Sequence, residues 1–362
     1  MSALVPAAWP VAEAGAARLL HVDPARAAIR DARVSDLTSL LRPGDLLVLN
    51  DAATLPASLA GWSARGPLEV RLAGPPSLEE PERWPAVLFG PGSWRDRTEE
   101  RRPPPRLVEG DRIQLETPGP DRGLAAEVVA VSELSPRLVE LRFDRAGAAL
   151  WRALFRVGRP VQYSYLREPL PLRHVQNAFA GRPLAAEMPS AGRPLRVPLL
   201  RSLRDHGVVI ATLTHAAGLS STGDPAIDAA LPLPELSLVP EGAVAAVEAA
   251  RARGGRVVAV GTTVVRALEG AFRGGRLHAG ANRTGLRIGS GYRPRVVSGL
   301  LTGLHEPGQS HFELLTAFAP RPLLEAAAAH AARAGYLGHE FGDSSLILAS
   351  RSPQRGAAIS SS

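Results

Sequence analysis

Three nearly uninterrupted apolar runs decide most of what this chain can become. They are Leu46-Leu47-Val48-Leu49, Val208-Val209-Ile210-Ala211-Thr212-Leu213 and Val257-Val258-Ala259-Val260. A strand with one wet face alternates apolar and polar residues, whereas a strand without alternation must be covered on both faces, as in a parallel sheet flanked by helices. Candidate helices lie before, between and after the runs, at Val34 to Leu41, Ala148 to Phe155, Leu199 to His206, Ala243 to Arg253 and Pro322 to Ala334. Arg42-Pro43-Gly44-Asp45 is a turn, and Gly254-Gly255 closes a helix. Residues 18–31 read as a first strand and turn, with further strands at Val296 to Leu301 and Ser345 to Leu348. Strands alternating with helices predict an α/β core with a mostly parallel sheet.

From about Ala57 the texture changes. Leu68 to Leu72, Ile113 to Glu116, Ala126 to Val129 and Leu138 to Phe143 alternate apolar and polar residues, and Trp84 to Phe89 is another candidate strand. Short alternating strands between Gly/Pro turns predict an inserted antiparallel β-barrel. The expected division is an α/β core at 1–56 and 147–350, a barrel at 57–146 and a disordered tail at 351–362. Within the barrel segment, the charged, Pro-rich stretch Arg95 to Arg106 reads as a mobile hairpin loop.

Composition narrows the class. At 362 residues, 45% apolar and 21% charged, the chain has the profile of a soluble globular protein. No apolar run approaches the ~20 residues that span a bilayer, and Met1-Ser2-Ala3-Leu4 does not begin a secretory signal. A cytoplasmic location with no membrane partner is expected, and no protein partner is evident. The absence of cysteine excludes disulfides, thiolate nucleophiles and Cys-ligated metals. The net charge of +7 invites a polyanion partner, but all 42 basic residues are Arg, as a GC-rich coding bias would also produce. Charge alone leaves both explanations open.

Each apolar run ends in polar residues: Asn50-Asp51, Thr214-His215 and Gly261-Thr262-Thr263. Strand ends are where open α/β sheets build active sites. Thr262 or Thr263 is placed to cap the next helix, whose free N–H groups attract polar or anionic ligand groups. Arg266 and Glu269 lie three apart on that helix, either as a solvated pair or as a ligand-binding Arg oriented by Glu. His305 is held in a turn by Pro307, beside Glu306, and a second His-Glu pair occurs at His339-Glu340. The spacing of His215, His305 and His339 favours acid/base or hydrogen-bonding roles over a metal site. Asp343, after Phe341-Gly342, is a candidate to orient a His or to bind ribose hydroxyls.

Assembled, these motifs resemble the S-adenosylmethionine:tRNA ribosyltransferase-isomerase family of queuosine biosynthesis, from roughly residue 18 to 349. The resemblance is carried by Leu41-Arg42-Pro43-Gly44-Asp45-Leu46-Leu47-Val48-Leu49-Asn50-Asp51, by Gly255 to Thr263 with Arg266 to Glu269, and by Gly299-Leu300-Leu301-Thr302 followed by His305 and Pro307. Gly291-Tyr292-Arg293, Arg295-Val296-Val297 and Gly342-Asp343 match in order. There are departures. The family's Thr-Arg after Asn-Asp is Ala52-Ala53 here, and its Ala-Gly-Leu-His-Phe-Thr segment is replaced by Ser190 to Leu195 without the His. Its His-Val-Gly-Leu-Gly-Thr-Phe segment corresponds to His215 to Ser221, its Met-His-Ser-Glu is missing around Leu231 to Pro240, and its Asn-Phe-His-Leu-Pro becomes Gly303 to Pro307.

The resemblance implies a diverged, metal-free transferase/isomerase. It would transfer and isomerise the ribosyl group of S-adenosylmethionine, a co-substrate, onto a deazaguanine base in tRNA. Such chemistry needs a base beside the sulfonium, an oriented aminomethyl nucleophile and an acid for departing adenine. The expected roles are His305 as acid/base, Arg266 for the methionine carboxylate or a phosphate, Gly261, Thr262 and Thr263 for ligand polar groups, and Glu269 and Asp343 as orienting carboxylates. The alternatives are a transferase acting on a small nucleoside-like molecule and a non-catalytic RNA-binding relative.

Overall fold

A computed structural model describes residues 4–10, 17–77, 79–115 and 123–350. The tail expected at 351–362 lies outside the described residues. Among them, nine strands form the main sheet. Their spatial order is Gly280–Thr284, Glu235–Val239, Val209–His215, Leu46–Asn50, Val257–Val260, Gly299–Gly303, Ser344–Leu348, Arg18–Asp23 and Ala28–Arg33. The three apolar runs lie side by side at its centre in parallel, with Leu47 between Ile210 and Val258. Both faces are covered, which is why these runs do not alternate. Leu46, Val48, Val257 and Ala259 join one apolar cluster with Val265 and Leu268, while Leu47, Leu49, Val258 and Val260 join another with Leu37 and Leu203.

The edges differ from this parallel centre. Glu235–Val239 and Gly280–Thr284, two strands the apolar runs do not disclose, extend one side antiparallel. Ser344–Leu348 runs antiparallel to Gly299–Gly303. The strand read from the sequence as Val296 to Leu301 begins only at Gly299. The amides of Val296 and Val297 donate instead to the carboxylate of Glu269, both at 3.0 Å, which removes them from a strand ladder.

The alternating strands close a six-stranded antiparallel barrel, in the order Leu124–Val131, Leu138–Phe143, Arg83–Phe89, Gly66–Leu72, Ser58–Ser63 and Arg112–Leu115. Val70, Trp84, Phe89, Ile113 and Leu141 fill it. The helix Gly147–Val157 packs Leu150 and Leu154 into the same cluster, and Trp151 meets Trp84 edge-on at 5.5 Å. The stretch read as a mobile loop is fastened. The Arg101 side chain is 2% exposed, donates to Glu69 and the Gly90 carbonyl, and lies 5.5 Å from the Phe89 ring centre. One of the charges that make the segment look loose ties it to the barrel.

Candidate active site

The four central parallel strands point their C-terminal ends the same way, and the antiparallel Glu235–Val239 and Ser344–Leu348 begin at that end, with His215 opposite Ser237 and Gly303 opposite Ser344. Polar side chains from six strands and their loops therefore converge.

Asn50 fixes the centre of this arrangement. Its amide donates to the His215 carbonyl at 3.0 Å and its oxygen accepts from the His215 N–H at 2.9 Å, tying two strand ends together. The same amide reaches Thr263 Oγ1 at 3.4 Å. Gly261, not either threonine side chain, occupies the N-cap of the helix Thr262–Ala271, with φ +95°, a conformation glycine adopts without the steric cost of a Cβ. Thr262 is buried and Thr263 faces Asn50, so the sequence locates this turn but not its cap.

His215, fully buried, holds its Nε2 2.9 Å from Glu235, which also accepts from the Arg266 guanidinium and from the Gly218 N–H at 2.8 Å. Burial opposes ionisation of Glu235, yet the hydrogen bond and charge of His215, the charge of Arg266 and the Gly218 amide hold its pKa down at about 2. Arg266 thus pairs with Glu235 rather than Glu269. Its Nε and the His215 Nδ1 are sealed from solvent without hydrogen-bond partners.

His305 follows the strand Gly299–Gly303 and places its Nε2 3.0 Å from Thr302 Oγ1. Its ring centre lies 5.0 Å from that of His311. Burial, then the charges of His311 and His339, push its pKa down to about 3, so the ring stays neutral at physiological pH. His311 is lowered too, by burial and by Arg266 against the opposing pull of Glu235. His339 takes a left-handed backbone at φ +65° and lays its ring 4.5 Å from Tyr165. A neutral imidazole with a hydroxyl partner can accept or relay a proton.

Two expected site residues face elsewhere. Glu269 accepts from the amides of Arg295, Val296 and Val297 and from the Tyr292 hydroxyl. Asp343 accepts from the amides of Arg18 at 3.0 Å and Leu337 at 2.8 Å. Both hold backbone in place, and neither contacts His305 or Arg266 through these bonds.

Sequence reasoning also missed several groups. Glu235 lies in the very stretch that lacks the family's Met-His-Ser-Glu, and it is the residue that joins His215 to Arg266. Tyr163 donates to Glu187, which accepts from the Ser220 amide at 3.0 Å. Burial raises the pKa of Glu187 and pushes that of Glu340 up to about 7. Tyr163, Glu187 and Glu340 lie outside the helices and strands, so no periodicity marks them. A cleft of about 460 Å³ opens between the barrel and the segment after His215, lined by Ala73, Val87, Val139, Leu219 and Glu235. Among the described residues no group of three or more His, Asp or Glu is arranged to hold a metal ion, and no helix is long and apolar enough to cross a membrane.

Convergent His, Glu and Arg side chains at the ends of parallel strands, beside a cleft, define an α/β enzyme. Residues 2–347 match the family described as queuosine biosynthesis protein, and the chain belongs to that family. It is 38% identical over 355 residues to the S-adenosylmethionine:tRNA ribosyltransferase-isomerase of Methylobacterium sp. (strain 4-46), covering 94% of each chain. It is 37% identical over 325 residues to the protein of the same name from Thermus thermophilus, covering 87% of this chain and 88% of that one. Its fold is similar to the crystal structure of S-adenosylmethionine tRNA ribosyltransferase from Thermotoga maritima, at 24% identity and a TM-score of 0.52 over 95% of this chain and 96% of that one.

Proposed function

We propose that the chain transfers and isomerises the ribosyl group of S-adenosylmethionine onto a deazaguanine base carried by tRNA. Membership of the queuosine biosynthesis family across residues 2–347 supports this reading, as do the names of relatives that match nearly its whole length. The structural observation that carries it is His305, bonded to Thr302 at the end of a central strand, at the same sheet edge as the His215–Glu235–Arg266 group. The reaction asks for a base beside a sulfonium carbon and an acid for departing adenine, and an imidazole bonded to a hydroxyl can pass a proton in either direction.

In this reading His305 moves the proton, with His311 beside it, while Gly261, Thr262 and Thr263 hold ligand polar groups. Arg266 and Glu235 set the local charge. S-adenosylmethionine is consumed as co-substrate, tRNA is the acceptor, and the protein works in the cytoplasm. The test is mass spectrometry of adenine and methionine released from S-adenosylmethionine, with and without tRNA bearing the aminomethyl-deazaguanine base. Release that depends on the modified tRNA is expected. Release that is indifferent to tRNA would move the acceptor to a small nucleoside-like molecule, and no release with tRNA bound would leave an RNA-binding protein.

A further inference from the structure

The cleft of about 460 Å³ between barrel and core has apolar walls that include Val87, Val139 and Leu219. Gly218 marks a polar point on its lining. A Cβ there would stand 2.9 Å from the Ala73 carbonyl oxygen and 3.6 Å from Glu235 Oε1, so these two acceptors are neighbours across it. Both have room for a donor. Ala73 gives its N–H to the Pro85 carbonyl at 2.8 Å, but proline has no N–H with which to return the bond, and the Ala73 carbonyl is left without a ladder partner. Glu235 Oε1 accepts only the Gly218 N–H, at 2.8 Å, whereas Oε2 serves His215 and Arg266. A carboxylate oxygen has two lone pairs, so Oε1 retains one. Ala73, Pro85, Gly218 and Glu235 all line the cleft. Arg283, opposite Leu236 on the strand Gly280–Thr284, lines it too. It is exposed, and its side chain makes no ion pair or hydrogen bond among the described residues.

Two adjacent acceptors call for two adjacent donors. Among the nucleobases that edge belongs to guanine, whose ring N–H stands beside its 2-amino group. Adenine and cytosine set an amine beside an acceptor nitrogen, and uracil flanks its one N–H with two carbonyls. A deazaguanine keeps the guanine edge, because the replaced atom lies in the other ring. The uncommitted Arg283 matches a phosphate, which a nucleotide in RNA carries and S-adenosylmethionine lacks. We propose that this cleft seats the acceptor nucleotide, with the imino and amino groups of its guanine-type edge on Glu235 Oε1 and the Ala73 carbonyl and its phosphate on Arg283. The assignment to the acceptor rests on the proposed function. It gives the two oxygens of Glu235 separate tasks, one reading the base and the other holding His215 and Arg266.

Calorimetry of the full chain with free nucleotides tests this. Guanosine 5′-monophosphate is expected to bind about 10- to 100-fold more tightly than adenosine 5′-monophosphate, the range for a charged hydrogen bond, with inosine 5′-monophosphate, which lacks the 2-amino group, in between. Guanosine, without the phosphate, should bind more weakly than its monophosphate, and Arg283→Ala should abolish that difference while leaving guanosine itself unchanged. Saturating S-adenosylmethionine should not displace the guanine nucleotide. Equal affinity for the guanine and adenine nucleotides, no measurable binding of guanosine 5′-monophosphate, or its displacement by S-adenosylmethionine would each overturn the assignment. These wild-type comparisons need no variant to fold. The proposed function would survive them, because it is tested separately by adenine release; failure of that release would remove the acceptor role and leave a guanine preference to be measured.

Discussion

The Glu269 carboxylate and the Val296 amide lie 3.0 Å apart, and the same carboxylate gathers the amides of Arg295 and Val297 and the Tyr292 hydroxyl. One buried side chain thereby replaces a strand ladder over three consecutive residues and delivers the chain to Gly299, where the central strand begins. Glu269→Gln keeps one acceptor oxygen but loses the charge and leaves an amide unpaired. It should destabilise the protein by about 2 kcal/mol or more, with ligand affinity of the folded fraction unchanged. Thermal unfolding and calorimetry on the same sample check this. A loss of affinity without loss of stability would return Glu269 to the site.

How far such relations are legible in sequence follows from their range. The strand–turn–helix around Gly261 and the doubly buried strands are local patterns, and the structure has them where the apolar runs stand. The Arg42-Pro43-Gly44-Asp45 turn reads correctly as a turn, but the reach of Asp45 to Arg256, 2.9 Å from its amide and 3.1 Å from its Nε, joins two motifs 211 residues apart and leaves no local trace. Glu235 was hidden for a similar reason. It lies on a short strand whose alternation is weak, and its meaning appears only when His215 and Arg266 arrive from other strands. Glu269 and Asp343 accept from backbone amides, which the sequence does not disclose, because an acidic residue beside Gly looks the same whether it meets a ligand or a row of backbone amides.

The pairing of Arg266 with Glu235 leads to a coupling test. Arg266→Met leaves Glu235 buried with only His215 and the Gly218 amide to hold its charge, a loss of about 3–5 kcal/mol for a broken buried pair. Adding Glu235→Gln removes the stranded charge, so the double variant should be more stable than Arg266→Met alone. Denaturant unfolding of the three variants measures the coupling. Additive losses would mean that the two side chains do not depend on each other in solution.

Glu340 gives stability a pH dependence of unusual sign for a carboxylate. Burial raises its pKa to about 7, above the ordinary glutamate value of 4.5, so the folded state holds a proton that the unfolded chain releases. Its contribution is fully present below pH 4.5 and is lost as pH rises towards about 7. Glu187, also raised by burial, adds in the same direction. Glu340→Gln should flatten the decline across this window without removing the share due to Glu187. Unfolding free energies measured from pH 4 to 8 decide it, and an unchanged slope would mean that Glu340 ionises freely.

His305 provides the most direct test of the proposed chemistry. Burial and the neighbouring His311 and His339 hold its pKa at about 3, so it is uncharged from pH 5 to 8, and its stabilising contribution is present above pH 6.5 and lost only as pH falls towards about 3. As a base it should therefore impose no acid limb near pH 6.5 on kcat/KM, and any limb there belongs to another group. His305→Asn should lower turnover by ~10²–10⁴-fold with little change in substrate affinity. Because its Thr302 partner can still bond to Asn, thermal stability should stay close to that of the parent. Lost stability with near-normal turnover in the folded fraction would instead make His305 a packing residue and shift the proton transfer to His311, the ring beside it.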